Sequence, residues 1–164
     1  MLRSLILASL IVLAGHAPIR AAEPTKHEQA ETEDTKGPPI VFIADLSAEE
    51  ESAVTDSPGV GHLECVLERA TLKFSWKLTY RNLSTPVIGA GFHGPQTPGG
   101  EAGVLIDIPA SDLKSPIQGS ATLTEGQLEY LLVGRMYVQI RTSKFPVGEI
   151  RGQLQRQRPK APTT

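Results

Sequence analysis

TLKFSWKLTY, Thr71 to Tyr80, sets Leu72, Phe74, Trp76, Leu78 and Tyr80 against Lys73, Ser75, Lys77 and Thr79. Successive side chains of an extended strand point to opposite faces, so this period of two predicts a strand with one buried and one wet face. Burial of the five large side chains would contribute on the order of 10 kcal/mol of gross transfer free energy, before conformational entropy is subtracted. These residues are the expected centre of the core.

Working outward, similar short apolar patterns predict strands over Ile40 to Leu46, Gly61 to Leu67, Val87 to His93, Val104 to Ile108, Gln118 to Leu123, Arg135 to Arg141 and Gly148 to Gln155. Many short strands separated by turn residues imply an all-β fold, an immunoglobulin-like β-sandwich or barrel. One short helix interrupts them. Thr124 and Gln127 are spaced as a capping box, Leu128, Leu131 and Leu132 form an apolar stripe, and Gly134 stands at the stop. The helix is expected to cover one end of the core.

The chain begins with Arg3, an apolar run from Leu5 to Ala14, and small residues up to Ala22. This is the pattern of a cleaved signal peptide over residues 1–22, and the run falls short of the roughly 20 residues a spanning helix needs. The expected location is therefore secreted or periplasmic, with no transmembrane segment in the mature chain. Removal of Arg3 and Arg20 takes the formal charge from −2 to −4, which argues against nucleic acid as a partner. Residues 23–38 read as a flexible acidic linker, since Glu23 to Lys36 holds five acids, two bases and no large apolar residue. The segment from Gln155 to Thr164 is basic, contains proline and is expected to fray, with residues 157–164 as a disordered tail. Cys65 is the only cysteine, so no internal disulfide exists. Its alternation with Leu63 and Leu67 makes it a buried small hydrophobe, the other reading being an intermolecular disulfide.

No nucleophile elbow, zinc helix, calcium loop or cysteine pair is present in the sequence. Gly89, Gly91 and Gly94 match a dinucleotide-binding spacing, but Pro95 and Pro98 follow where a helix would have to begin. No catalytic residue, cofactor or metal ligand is assigned.

The run GRMYVQIRTSKFPVGEIRGQL, Gly134 to Leu154, with its Gly148-Glu149-Ile150-Arg151-Gly152 ending, resembles the CHRD domain, named after chordin. The resemblance extends upstream through Phe42, Ala44 and Leu46, the block AGFHGP at Ala90 to Pro95, Gly103, and the Thr124 to Gly134 segment, covering about 115 residues, with the domain placed at 39–156. It implies an exported, all-β, immunoglobulin-like module and names no activity. In that family the AGFHGP block usually reads Ala-His-Ile-His-Gly-Pro, and two histidines at i and i+2 could hold a metal. Here Gly91 replaces the first and only His93 remains; a metal site would need His62 or Glu101 beside it.

His93, Gly94, Gly103, Gly148, Glu149, Arg151 and Gly152 are read as structural motif residues. Glu149 and Arg151 are expected on one strand face, paired with each other or with Arg141 and neighbouring strands, and the flanking Gly148 and Gly152 as places of close strand approach or a bulge. The loop from Gly94 to Gly103 exposes Gln96, Thr97 and Glu101, and the turn from Thr142 to Val147 offers Lys144 and Phe145, either exposed or tucked against its hairpin. Both loops are expected at one end of the sandwich. The function this suggests is non-catalytic binding of an unidentified envelope or extracellular protein or glycan. Two alternatives are a metal-binding protein resembling superoxide dismutase and a structural envelope or matrix component that associates through a sheet edge.

Overall fold

The computed structural model describes residues 37–158. The expected signal peptide, most of the expected acidic linker and residues 159–164 lie outside them. The strands are β1 (Ile40–Ser47), β2 (Val60–Glu68), β3 (Lys73–Arg81), β4 (Val87–His93), β5 (Val104–Ile108), β6 (Ile117–Thr122), β7 (Tyr137–Thr142), β8 (Ile150–Gln153) and β9 (Gln155–Arg156), with one α-helix, α1 (Glu125–Leu132). They form one antiparallel sheet in the order β5-β4-β7-β8-β1-β2-β3-β6, with β9 beside β1. The all-β expectation holds, as a sheet curled into a nearly closed barrel.

The curl brings β4 against β3 across the interior. Phe92 meets Phe74 and Trp76 edge-on, with ring centroids 5.2 Å and 5.1 Å apart, the offset geometry aromatic quadrupoles favour. Around them Phe42, Leu46, Leu63, Leu67, Leu78 and Ile140 are buried. The Thr71 to Tyr80 reading needs a correction at its ends. Leu72 has a φ of +54° and precedes β3, because the chain must turn there out of the β2–β3 hairpin. Tyr80 is half-buried, with its hydroxyl donating to the Leu113 carbonyl at 2.8 Å.

Helix α1 starts with the capping box that the sequence predicts: Thr124 Oγ1 accepts from the Gln127 amide, and Gln127 Oε1 accepts from the Thr124 amide. Leu131 is buried, and Leu128 and Leu132 pack against the core. Gly134 takes a φ of +70° as the chain leaves the helix, a conformation glycine adopts without steric cost.

The C-terminal strand changes partner along its length. β8 pairs with β7, whereas Gln155 and Arg156 pair with Ile43 and Phe42 of β1. The Leu154 amide between them donates to the Met136 carbonyl at 3.0 Å. At Gly152 the two halves of the sheet cross so closely that a Cβ would lie 2.6 Å from the Asp45 carbonyl oxygen. The pairing runs on to Gln157, whose amide donates to the Val41 carbonyl at 2.9 Å. The expectation that the chain frays from Gln155 is therefore wrong, because the edge of β1 offers these residues a ladder.

Cys65 is fully buried, and loss of water pushes its thiol well above the ordinary range. Its sulfur is closed off from any partner chain.

Candidate functional site

On the outer face of β4, β7 and β8, three side chains stack across neighbouring strands. His93 lies parallel to Tyr137, with ring centroids 5.1 Å apart and an interplanar angle of 15°. Against the Tyr137 ring sits the guanidinium of Arg151, its central carbon 3.5 Å from the ring centroid. The register explains the contact: His93 is directly opposite Tyr137, and Arg151 is opposite Gln139, one outward position along β7. Charge over an aromatic face is favourable, more so where water is excluded.

Arg151 is only 1% exposed. Its guanidinium donates to the carbonyls of Gly100 and Thr97 and to Gln153 Oε1. Gln153 Nε2 donates to the carbonyls of Gln96 and Gly134. Tyr137 joins in, its hydroxyl accepting from the Ala102 amide at 3.0 Å. The loop from Gly94 to Gly103 is thus fastened from beneath by residues of β7 and β8. His93 contributes as well, with Nδ1 3.2 Å from the Ala102 carbonyl oxygen. Burial, offset in part by that carbonyl, holds the imidazole below its ordinary pKa.

The loop residues differ in how freely they face water. Thr97 and Glu101 are exposed, whereas Gln96 is half-buried and spends its side chain on the Thr97 amide and the Glu101 carbonyl. Glu101 accepts from Ser52 Oγ at 2.6 Å. Two exposed valines stand close by. Val104, 50% exposed, follows Gly103 directly. Val133, 60% exposed, precedes Arg135, whose carbonyl takes the Gln96 amide.

Lys144 and Phe145 belong elsewhere. His93 at the end of β4 pairs with Tyr137 at the start of β7, and Val87 at the start of β4 pairs with Thr142 at the end of β7. The two candidate loops therefore leave opposite ends of the sheet, separated by a six-residue strand of roughly 17–20 Å. Sharing one end of the barrel is excluded by this antiparallel pairing. At the far end Lys144 bridges to Asp56 at 3.0 Å and lies over the half-buried Phe145 ring, 4.8 Å from its centroid.

The expected pairing of Glu149 with Arg151 or Arg141 is also overturned. Glu149 precedes β8 and its buried carboxylate accepts from Ser57 Oγ, Thr142 Oγ1 and the Ser84 amide. Burial opposes ionisation, but these donors outweigh it and hold the carboxyl below its ordinary value. Arg151 points instead toward the Gly94 to Gly103 loop. Arg141 packs over Gly89, where a Cβ would lie 3.0 Å from its guanidinium carbon.

Gly148 has a role of its own. A Cβ there would lie 2.6 Å from both carboxyl oxygens of Glu51, which folds across β7 and accepts from Gln139 Nε2 at 2.8 Å. Burial pushes the Glu51 carboxyl up to about 7, although Gln139 and Arg151 favour ionisation. Nothing in the sequence marks Glu51 apart from Glu49 and Glu50, which remain exposed. Gln139 and Gln153 likewise read as ordinary outward positions between apolar neighbours.

The described residues hold no group of three or more histidine, cysteine, aspartate or glutamate side chains placed to bind a metal ion. His62 sits on β2 with Nδ1 2.7 Å from Asp45 Oδ1, in the other half of the sheet from His93. An open cleft of about 520 Å³ beside His62, lined also by Asp45, Thr79 and Arg81, is likewise away from the stack. Among the described residues no helix is long and apolar enough to cross a membrane.

Compared with known proteins, residues 42–154 match the model of the CHRD domain family. No curated protein and no solved structure matches the chain.

Proposed function

The chain belongs to the CHRD domain family, and from that premise we propose that it is an exported, non-catalytic binding module. Its target is an envelope or extracellular protein or glycan. The signal-peptide pattern of residues 1–22 supports export to the periplasm or beyond. The contact surface is the end of the sheet that carries the Gly94 to Gly103 loop, with Thr97 and Glu101 as polar contacts and Val104 and Val133 as apolar ones.

One observation carries this reading: the loop presents Thr97 and Glu101 to water yet is held from beneath, through the carbonyls of Gln96, Thr97 and Gly100, by the buried Arg151 and Gln153. A loop held in one conformation loses little entropy on binding, and preorganisation of this kind raises affinity without adding contacts. The opposite turn is bonded as well, through Thr142 to the buried Glu149 and through the Lys144 amide to Thr85 Oγ1, but its Lys144 side chain is already paired with Asp56.

The test is affinity capture from envelope and secreted extracts, with glycan arrays in parallel. Wild type is compared with a Thr97→Arg/Val104→Asp/Val133→Asp variant and with Lys144→Ala, all checked for folding. Loss of the partner in the triple variant and retention in Lys144→Ala are expected. Equal capture by all three would overturn the surface assignment, and no retained partner or glycan would overturn the binding reading.

A further inference from the structure

The segment between β1 and β2 crosses the outer face of β7 and β8 as a strap. At one end Ser52 Oγ donates to Glu101; at the other Asp56 meets Lys144. Between them Glu51 accepts from Gln139, and Thr55 and Ser57 bond to the carbonyl and carboxylate of Glu149. Water could replace the Ser52, Thr55 and Asp56 tethers at small cost, whereas Ser57 stays anchored on the buried Glu149 carboxylate and ends the movable stretch.

Glu51 is different. Its Oε1 is buried without a hydrogen-bond partner, and Oε2 has the single donor Gln139. The carboxyl fits only because Gly148 has no side chain, as both oxygens sit 2.6 Å from where its Cβ would be. The charged groups that face it are Arg151 from β8, which favours ionisation, and Glu101 from the loop, which opposes it. Glu149 in the adjoining turn is committed to Ser57, Ser84 and Thr142, and Glu49 and Glu50 on the strap itself are exposed. An ionised carboxylate in this position has given up water on one oxygen and gained nothing there. A neutral carboxyl avoids most of that penalty.

We propose that residues 48–56 form a pH-operated latch on the contact loop, closed across β7 and β8 while the Glu51 carboxyl is neutral and released when it ionises, which withdraws the Ser52 brace from Glu101. The inference rests on the proposed function only in naming that loop as the contact surface. Its working range follows from burial, which raises the carboxyl from an ordinary 4.5 to about 7 in the closed state. The closed state binds a proton that the open state has lost, so closure is strongest at acid pH and weakens as pH rises through about 7. With these two values, the opening constant rises about thirty-fold between roughly pH 5.5 and 8.5.

Amide hydrogen exchange on the full chain, without any partner, tests this at those two pH values after correction for intrinsic exchange. Protection of residues 48–56 should fall by that factor relative to β2 and β3, and Glu51→Gln, which cannot ionise, should show no such fall. A flat wild-type profile, or the same fall in Glu51→Gln, overturns the latch. Should Glu51→Gln fail to fold, the side-chain carboxyl ¹³C titration of wild type is read beside the exchange: a midpoint raised above 4.5 but short of the closed-state value of about 7, moving with the loss of protection, supports the latch, and one near 4.5 overturns it. Failed partner capture leaves this measurement untouched, and a flat exchange profile leaves the binding reading untouched.

Discussion

Arg151 lies against the face of Tyr137, 3.5 Å from guanidinium carbon to ring centroid, while its nitrogens hold the carbonyls of Thr97 and Gly100. One buried cation thus joins the β7–β8 pair to the tip of the loop between β4 and β5. Among the described residues no carboxylate bonds to it. Arginine suits the position because its planar fork can stack and donate in two directions, which a lysine ammonium cannot.

Replacing Arg151 with methionine keeps much of the volume and removes the donors. The half-buried Gly100 carbonyl then loses its guanidinium donor and the Thr97 carbonyl keeps only the Gly100 amide, at a cost of about 1–3 kcal/mol. Denaturant titration should show that loss, and hydrogen exchange should show amides of the Gly94 to Gly103 loop exchanging faster than those of β2 and β3. Arg151→Lys should recover little of either.

Gly152→Ala places a methyl 2.6 Å from the Asp45 carbonyl oxygen, a backbone atom that can retreat only if β1 shifts. Overpacking of this kind costs about 1–3 kcal/mol. Gly103→Ala is the matched control, since nothing lies within 4 Å of its added carbon. Thermal unfolding should separate the two variants clearly; equal melting temperatures would remove the close crossing as the reason for glycine at 152.

The Glu149 carboxylate serves three donors from three segments, so Glu149→Ala should destabilise the fold by about 3 kcal/mol at neutral pH. Because its folded pKa lies below the ordinary 4.5, the stabilisation is present above that value and fades as pH falls through the lower, folded value. The gap between wild type and variant should therefore narrow at acid pH. A gap that stays constant would show that the donors do not depend on the charge.

Native protein should resist thiol alkylation at Cys65, and denaturant should release one reactive thiol per chain. Rapid labelling under native conditions would contradict the burial of β2.

Periodicity carries much of the fold in the sequence, because a strand with one buried face must alternate. Val87–His93 and Val104–Ile108 have the bounds the alternation predicts, and the Thr124/Gln127 spacing alone marks the start of α1. Leu72 escaped because a hairpin turn can carry an apolar residue in phase with the following strand. Partnership is another matter. That Arg151 serves a loop some fifty residues upstream, that Glu149 turns away from it, and that the two candidate loops leave opposite ends of the sheet all follow from antiparallel pairing between distant strands. Local sequence determines which face a side chain occupies; only the register of the closed sheet decides what it meets there, and for Glu51 that meeting alone sets how readily it holds a proton.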